Sequence, residues 1–369
     1  MNMKRWSYSA LLLLTTTLFF QDCQAPQRGV HFDPEQIPYA QLSEYGFFKK
    51  FGAQMNPTEG VLPYEPITTL FTDYAHKARF VWMPPGVQAT VDSAGVINFP
   101  DHTVLIKHFY YPTDFAQPKG KNDKVETRLL VKRAGNWEAF TYVWNEAETD
   151  AELNLIGEFV NVAWTDAGQA TEVEYVIPNK NQCKSCHNVD NRIQPIGPKV
   201  RYLQSELSYP DGSTMNQLAK WQAVGYLQAD PGIAAIPALA DWDDPESGTV
   251  EERAKAYLEV NCGHCHSSNG PAHTSGLFLQ TAETDPGRWG ICKNPVAAGK
   301  GSGNRQFGIS PGNPDASILV FRMESEDPGV MMPELGRVLP HTEGIALVRS
   351  WIEGMEHPCE VPKINKQEI

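Results

Sequence analysis

"LEVNCGHCHSSNGPAHTSG", residues 258–276, sets Cys262, Cys265 and His266 in a Cys-x-x-Cys-His run, with Gly270-Pro271 close behind. An earlier stretch, "PNKNQCKSCHNVD" at 178–190, repeats the pattern with Cys183, Cys186 and His187. With 7 cysteines and 10 histidines in 369 residues, two accidental copies are improbable. The chemistry explains the spacing. Two thiols separated by two residues can each add to one vinyl group of a haem, and a histidine directly after them is held beside the iron as its proximal ligand. A zinc ribbon wants its two knuckles closer together than these. A thioredoxin-like pair has no use for a histidine in fifth place and needs a surrounding βαβ pattern that is missing. The expectation is two covalently attached haems of the c type, with His187 and His266 as iron ligands.

Outward from the second motif, "TVEERAKAYLEVN" (249–261) carries Thr249 as N-cap and Glu252 three residues on, which predicts a helix opened by a capping box. Downstream, "DPGVMMPELGR" (327–337) sets Met331 and Met332 before Pro333, and "TEGIALVRSWIEGM" (342–355) predicts a terminal helix with Ile345, Val348, Trp351 and Ile352 on one stripe. Proline after Met332 favours an extended backbone there, which can aim its thioether across a haem face opposite His266. The carbonyl of Pro271 is the expected hydrogen-bond acceptor behind the His266 ring. The Gly-rich stretch 290–314 reads as a loop over one haem edge, with Lys300 or Arg305 reaching the propionates.

The first motif is less well specified. Pro195 and Pro198 are the expected source of support behind His187. Met215 is the expected distal ligand, with His102, His108 and His273 as alternatives from elsewhere in the chain. His31, His76, His341 and His357 read as surface or loop residues, and His264 as a spacer turned to solvent.

Residues 64–177 have a strand-like texture. "ARFVWMP" (78–84), "TVLIKHFYY" (103–111), "ETRLLVKR" (126–133) and "EAFTYVW" (138–144) are rich in β-branched and aromatic residues, and 161–178 reads as a further hairpin. In 103–111, Val104, Ile106 and His108 share one face and Leu105, Lys107 and Phe109 the other. Short helices are expected within 41–51 and over 213–227. The fold class is therefore multidomain α+β: an N-terminal antiparallel β-sandwich (30–177), a first haem-binding segment (178–248) and a mainly α-helical cytochrome c-like domain with the second haem (249–359).

The ends of the chain carry their own signals. Lys4 and Arg5 followed by the apolar "ALLLLTTTLFF" (10–20) read as a secretory signal over 1–22, too short to span a bilayer. Cys23 stands where a bacterial lipoprotein carries its acyl chains, although Gln21-Asp22 departs from the usual small residues. With Cys23 lipidated, Cys292 and Cys359 remain as a disulfide pair for an oxidising compartment. The formal charge of −13 argues against non-specific binding to nucleic acid or to anionic lipid.

The order helix, Cys-x-x-Cys-His, Gly-Pro, Met-Pro, terminal helix resembles class I cytochrome c over residues 249–357. That family places its methionine ligand directly before a proline. Beyond it, "LFTDYAHKARFVWMPPG", "VLIKHFYY", "IPNKNQCKSCH", "RAKAYLEVNCGHCH", "GICKNPVAAGKGSG" and "MMPELGR" resemble a group of exported bacterial di-haem c-type cytochromes with a β-rich N-terminal region. The resemblance covers nearly the whole mature chain. It implies periplasmic electron transfer between redox partner proteins. A di-haem peroxidase-like enzyme, with one haem open to peroxide, is the alternative.

Overall fold

The computed structural model describes residues 29–52 and 55–359; the expected signal segment and Cys23 lie outside the described residues. Its centre is a six-stranded antiparallel sheet built from β1 (Leu62–Pro63), β2 (His76–Trp82), β3 (Val104–Pro112), β4 (Asn122–Arg133), β5 (Asn136–Trp144) and β6 (Ala151–Asn154). Chain neighbours pair throughout, in the order β6-β5-β4-β3-β2-β1. The period-2 alternation read from the sequence sorts the side chains as expected. Phe80, Trp82, Val104, Ile106, Leu129, Phe140 and Tyr142 pack on one face beneath the N-terminal arm, through Tyr39, Leu42, Tyr45 and Phe47.

The other face, called inner here, is covered by three different things. At one end Val81, Leu105 and Trp137 pack against Val200, Leu218 and Trp221 from the segment after the sheet. At the other end Phe109, Tyr111 and Val125 meet Val162, Trp164, Val173 and Tyr175 of a hairpin, β7 (Glu158–Asp166) with β8 (Gln169–Ile177). Between these two apolar ends the inner face is charged. Thr141, Arg128, Lys107 and Arg79 are direct cross-strand neighbours, one on each of four adjacent strands. The expected antiparallel sheet is present; among the described residues the sheet packed on its inner face is the two-stranded β7–β8 hairpin, which covers one end only. A charged middle cannot be sealed by a second apolar layer, and the covering elements leave a cavity over it.

Both sheet edges are blunted. Pro63 in β1 has no N–H to offer. On the other side Gln41 bridges Glu152 of β6, and the Leu153 N–H donates to the Ala40 carbonyl at 2.9 Å.

Two local expectations changed. Within 41–51 the helical signal yields one 3₁₀ turn, Leu42–Tyr45, ended by Gly46 in the left-handed conformation at φ 65°, and the chain then extends into the strand Phe48–Phe51. Over 213–227 the first residues are a strand, Thr214–Asn216, paired with Glu206–Ser208. The helix begins only at Gln217, because the Asn216 side chain caps the N–H groups of Leu218 and Ala219. Five α-helices follow the sheet among the described residues: α1 (Lys180–Cys186), α2 (Gln217–Ala223), α3 (Val250–Asn261), α4 (Ile318–Glu324) and α5 (Thr342–Glu353). The capping box of Thr249 and Glu252 is formed at the start of α3. α3 and α5 pack on each other with Ala254, Tyr257 and Leu258 against Ile345, Val348 and Ile352. Gly344 lets them approach, since a Cβ there would collide with the Tyr257 ring. Among the described residues no helix is long and apolar enough to cross a membrane.

Candidate functional site

The first motif rides on a helix that the sequence reading did not foresee. Asn179 and Gln182 form a reciprocal capping box that starts α1, which carries Cys183 and Cys186, and His187 closes the helix. After it the chain reverses through Asp190 and Asn191, at φ 50° and 63°, so that Asn188–Val189 pairs with Arg192–Ile193. The reversal brings Gln194 back to His187. Its N–H donates to the His187 carbonyl at 2.8 Å, and its own carbonyl accepts from the ring Nδ1 at 2.8 Å. The support expected from Pro195 or Pro198 thus comes from Gln194, because the tight hairpin closes one residue earlier. With Nδ1 committed, Nε2 is the nitrogen left for a metal.

The second motif continues the hydrogen-bonding of α3. The N–H of Cys262 donates to Leu258, that of Gly263 to Leu258 and Glu259, and those of Cys265 and His266 to Cys262. Gly263 is required, since a Cβ would stand 2.6 Å from the Leu279 carbonyl oxygen and 2.7 Å from that of Glu259. Behind His266 the polar neighbour is Ser275 Oγ, 3.3 Å from Nδ1, in place of the expected Pro271 carbonyl. The 3₁₀ turn His273–Ser275 carries the chain past the proline and presents the serine.

All four motif thiols are free. Burial pushes Cys262 and Cys265 up to about 12 and raises Cys183 and Cys186, so none of them is a ready thiolate. Burial also lowers His187 and His266 to about 4, which keeps both imidazoles neutral at pH 7 with a lone pair to give. Among the described residues no group of three or more His, Cys, Asp or Glu side chains is placed to hold a metal ion. Such a group is what a zinc site needs; a haem iron asks the protein only for axial ligands.

Each motif opens on its own cavity. The first, about 190 Å³, lies between α1 and the charged middle of the inner face and is lined by Cys183, Cys186, His187, Arg79, Lys107 and Arg128. The second, about 490 Å³, is within the usual range for ligand cavities and is lined by Cys262, Cys265, His266, Trp289 and Met332. Cys186, Cys262, His264, Met323 and Met332 line both, so the two cavities share a wall.

Met332 is part of that wall, whereas Met331 is 7% exposed, packed away, and lines neither cavity. Arg337 holds this loop in place. It is 5% exposed, and its guanidinium donates to the carbonyls of Met332, Leu339, Arg322, Met323 and Ser325.

Other sequence candidates fall elsewhere. Met215 pairs with Leu207 in the short hairpin and lines neither cavity, because the helix expected to present it starts two residues later. His108 projects from the opposite face of the sheet, where its Nδ1 meets Thr127 Oγ1 at 2.9 Å. His102 packs on Phe32, and His273 bonds the Gly270 carbonyl. His264 is not turned to solvent: it sits in the shared wall, and its Nδ1 lies by the Val260 carbonyl without an ordinary hydrogen bond. Nor is His341 a surface residue. It lines the first cavity, stacks on Phe71 at 4.2 Å and meets the Tyr257 hydroxyl at 3.0 Å.

The Gly-rich loop does cover the second cavity, through Lys293 and residues 294–298. Lys300 and Arg305 turn away, to Asp327 and to the Asp315 carbonyl. Cys292 at the root of this loop is bonded to Cys359, as expected. Comparison with protein-family models, with curated proteins and with solved structures returns no match.

Proposed function

We propose that this chain is an exported di-haem c-type cytochrome that passes electrons between redox partner proteins in the periplasm. The observation that carries the reading is the juxtaposition of two Cys-x-x-Cys-His motifs, each opening on its own cavity, across one shared wall. Cys183 and Cys186 would hold one haem by thioethers and Cys262 and Cys265 the other. His187 and His266 would be the proximal ligands, and Met332 the distal ligand of the second. When bound, haem supplies reversible one-electron chemistry, with a potential raised by His/Met ligation.

The chain's own residues do the rest. The Gln194 carbonyl and the Ser275 hydroxyl orient the two imidazoles. Arg337 fixes the Met332 backbone. Trp289, Leu279 and Ile309 exclude water from the second cavity. The capped α3 leading into Cys262, packed on the terminal α5, supports a cytochrome c-like arrangement of residues 249–359. Export and anchoring at Cys23 rest on the N-terminal sequence.

The test is the mass of the acid-denatured mature protein, expected to exceed the polypeptide by two haems. A bare polypeptide mass overturns the reading.

A second reading, a peroxidase-like enzyme, starts from Met215, the expected distal ligand, which is not at the first cavity; Met323 and His341 are the side chains there that could still close the iron. Two six-coordinate low-spin haems support the carrier. A high-spin component that binds cyanide and turns over peroxide supports the enzyme.

A further inference from the structure

The inner face of the sheet holds more positive charge than the protein neutralises. Arg79 is 7% exposed, and neither it nor Lys107 has a side-chain hydrogen bond or ion pair among the described residues. Lys107 has the Phe109 ring, 4.8 Å from its Nζ, and a weak pull from Glu126, which Arg128 already pairs. Arg128, between Lys107 and Thr141, is paired with the buried Glu126, whose other contact is the Tyr175 hydroxyl at 2.7 Å. Lys77, two residues before Arg79 on β2, has Asp73 nearby. Glu65, the remaining carboxylate near Arg79, is exposed and forms no ion pair with it. Burial and mutual repulsion push Lys107 and Lys77 well below the usual lysine range. Unpaired buried cations are costly, and folds that keep them have an anion to set against them.

The direction of the row matters as much as its charge. Cys183 and Thr141 both line the first cavity, which sets the start of the row beside the first thioether position. From Thr141 the row steps across β4 and β3 to β2 at about 4.8 Å per strand, so Arg79 stands roughly 14 Å from Thr141. A haem tethered through its vinyl groups carries its two propionate carboxylates on the edge remote from them. One end of the row therefore receives the tether and the other end the charge.

Resting on the di-haem reading, we infer that Lys107 and Arg79 form the anion site for the propionates of the first haem, which lies across the strands with its carboxylates toward β3 and β2. Arg128 keeps its own partner, Glu126, and is not counted in the site. The two cations thereby set the potential of this haem, since nearby positive charge favours the reduced, less positive iron.

The test is potentiometric titration of the two-haem protein and of Lys107→Met and Arg79→Gln, each with its mass measured. Each variant should keep both haems and move one of the two one-electron waves to lower potential. The shift should be at least tenfold in the oxidised-to-reduced ratio at fixed potential, or about 59 mV for one electron. The other wave should stay in place, and Lys107→Arg should move neither. Unmoved waves in a two-haem variant overturn the inference, as does Lys107→Arg acting like Lys107→Met. A change in spin state on Lys107→Met also overturns it, by making Lys107 an axial ligand.

Should a variant fail to fold, the same substitutions are made where Cys183 and Cys186 are serine and the first haem is absent. There Lys107→Met should raise the thermal midpoint, because an unopposed cation is removed; a lowered midpoint overturns the inference. A wild-type mass lacking the first haem would be the failure of the di-haem reading itself, and is told apart by that measurement.

Discussion

The bond between Cys292 and Cys359 can be weighed from the chain it closes. The two positions are 67 residues apart, and the loop between them contains α4, the Met332 loop and α5. Chain-entropy arguments give about 4 kcal/mol for closing a loop of this length in the unfolded state. For a protein of this size, unfolding as one unit, that corresponds to roughly 5 °C in thermal midpoint. The perturbation is Cys292→Ser with Cys359→Ser, so that no lone thiol is left behind. Urea denaturation of the two proteins side by side should show the midpoint fall and the slope steepen, because the unfolded chain without the bond is more expanded. The structure adds a local consequence. Cys292 begins the stretch whose residues 293–298 line the second cavity, so limited proteolysis should find this loop sooner in the variant. Coincident urea midpoints, or alkylation of both thiols in unreduced denatured protein, would refute the reasoning.

On the proposed di-haem reading, Met332→Ala should abolish the weak near-infrared sulfur-to-iron band of the oxidised second haem, while Met331→Ala should leave the band and cost about 2–4 kcal/mol of stability from its buried site; loss of the band in Met331→Ala alone would reverse the assignment. Gly344→Ala should destabilise by about 1–3 kcal/mol because its Cβ meets the Tyr257 ring, and combining it with Tyr257→Leu should recover part of the loss; additive costs would mean that the two do not touch. Glu259 is buried, which alone would raise it, but Arg201 and hydrogen bonds from Thr281 and Tyr202 outweigh burial and hold it below the usual carboxylate range. Its folded value lies below its unfolded one, so its contribution is complete above about pH 4.5 and is lost as pH falls through the folded value. Glu259→Gln should therefore cost about 2 kcal/mol at pH 7, and urea midpoints of the two proteins should converge toward pH 2; a constant gap would contradict this.

What could be read from the sequence was what repeats or alternates. The motif spacing fixed which thiols and imidazoles belong together, and the alternation of Val104, Ile106 and His108 against Leu105, Lys107 and Phe109 sorted the faces of β3 correctly. What escaped was set by contacts distant in the chain. A charged Lys107 on an otherwise apolar strand face was on view, but its meaning needed the register that lines it up with Arg79 and Arg128. Gln194 could not be singled out because a backbone carbonyl has no residue signature. The start of α2 was misplaced because an amphipathic stripe does not reveal where a capping side chain cuts it, and Asn216 cut it just past Met215. Likewise, nothing local to "TMNQLAKW" says that Thr214–Asn216 finds a strand partner in Glu206–Ser208.

The blunted margins of the central sheet decide how this molecule can be recognised. At one margin a ring nitrogen replaces the donor; at the other the N-terminal arm already occupies it. Strand-to-strand annealing with another polypeptide is hindered at both, whether that polypeptide is a visiting peptide or a sibling molecule. A partner that meets the central sheet does so through relief and charge on its loops and covering helices. The same closure guards the nine-residue strands of this sheet against templated fibre growth at high concentration.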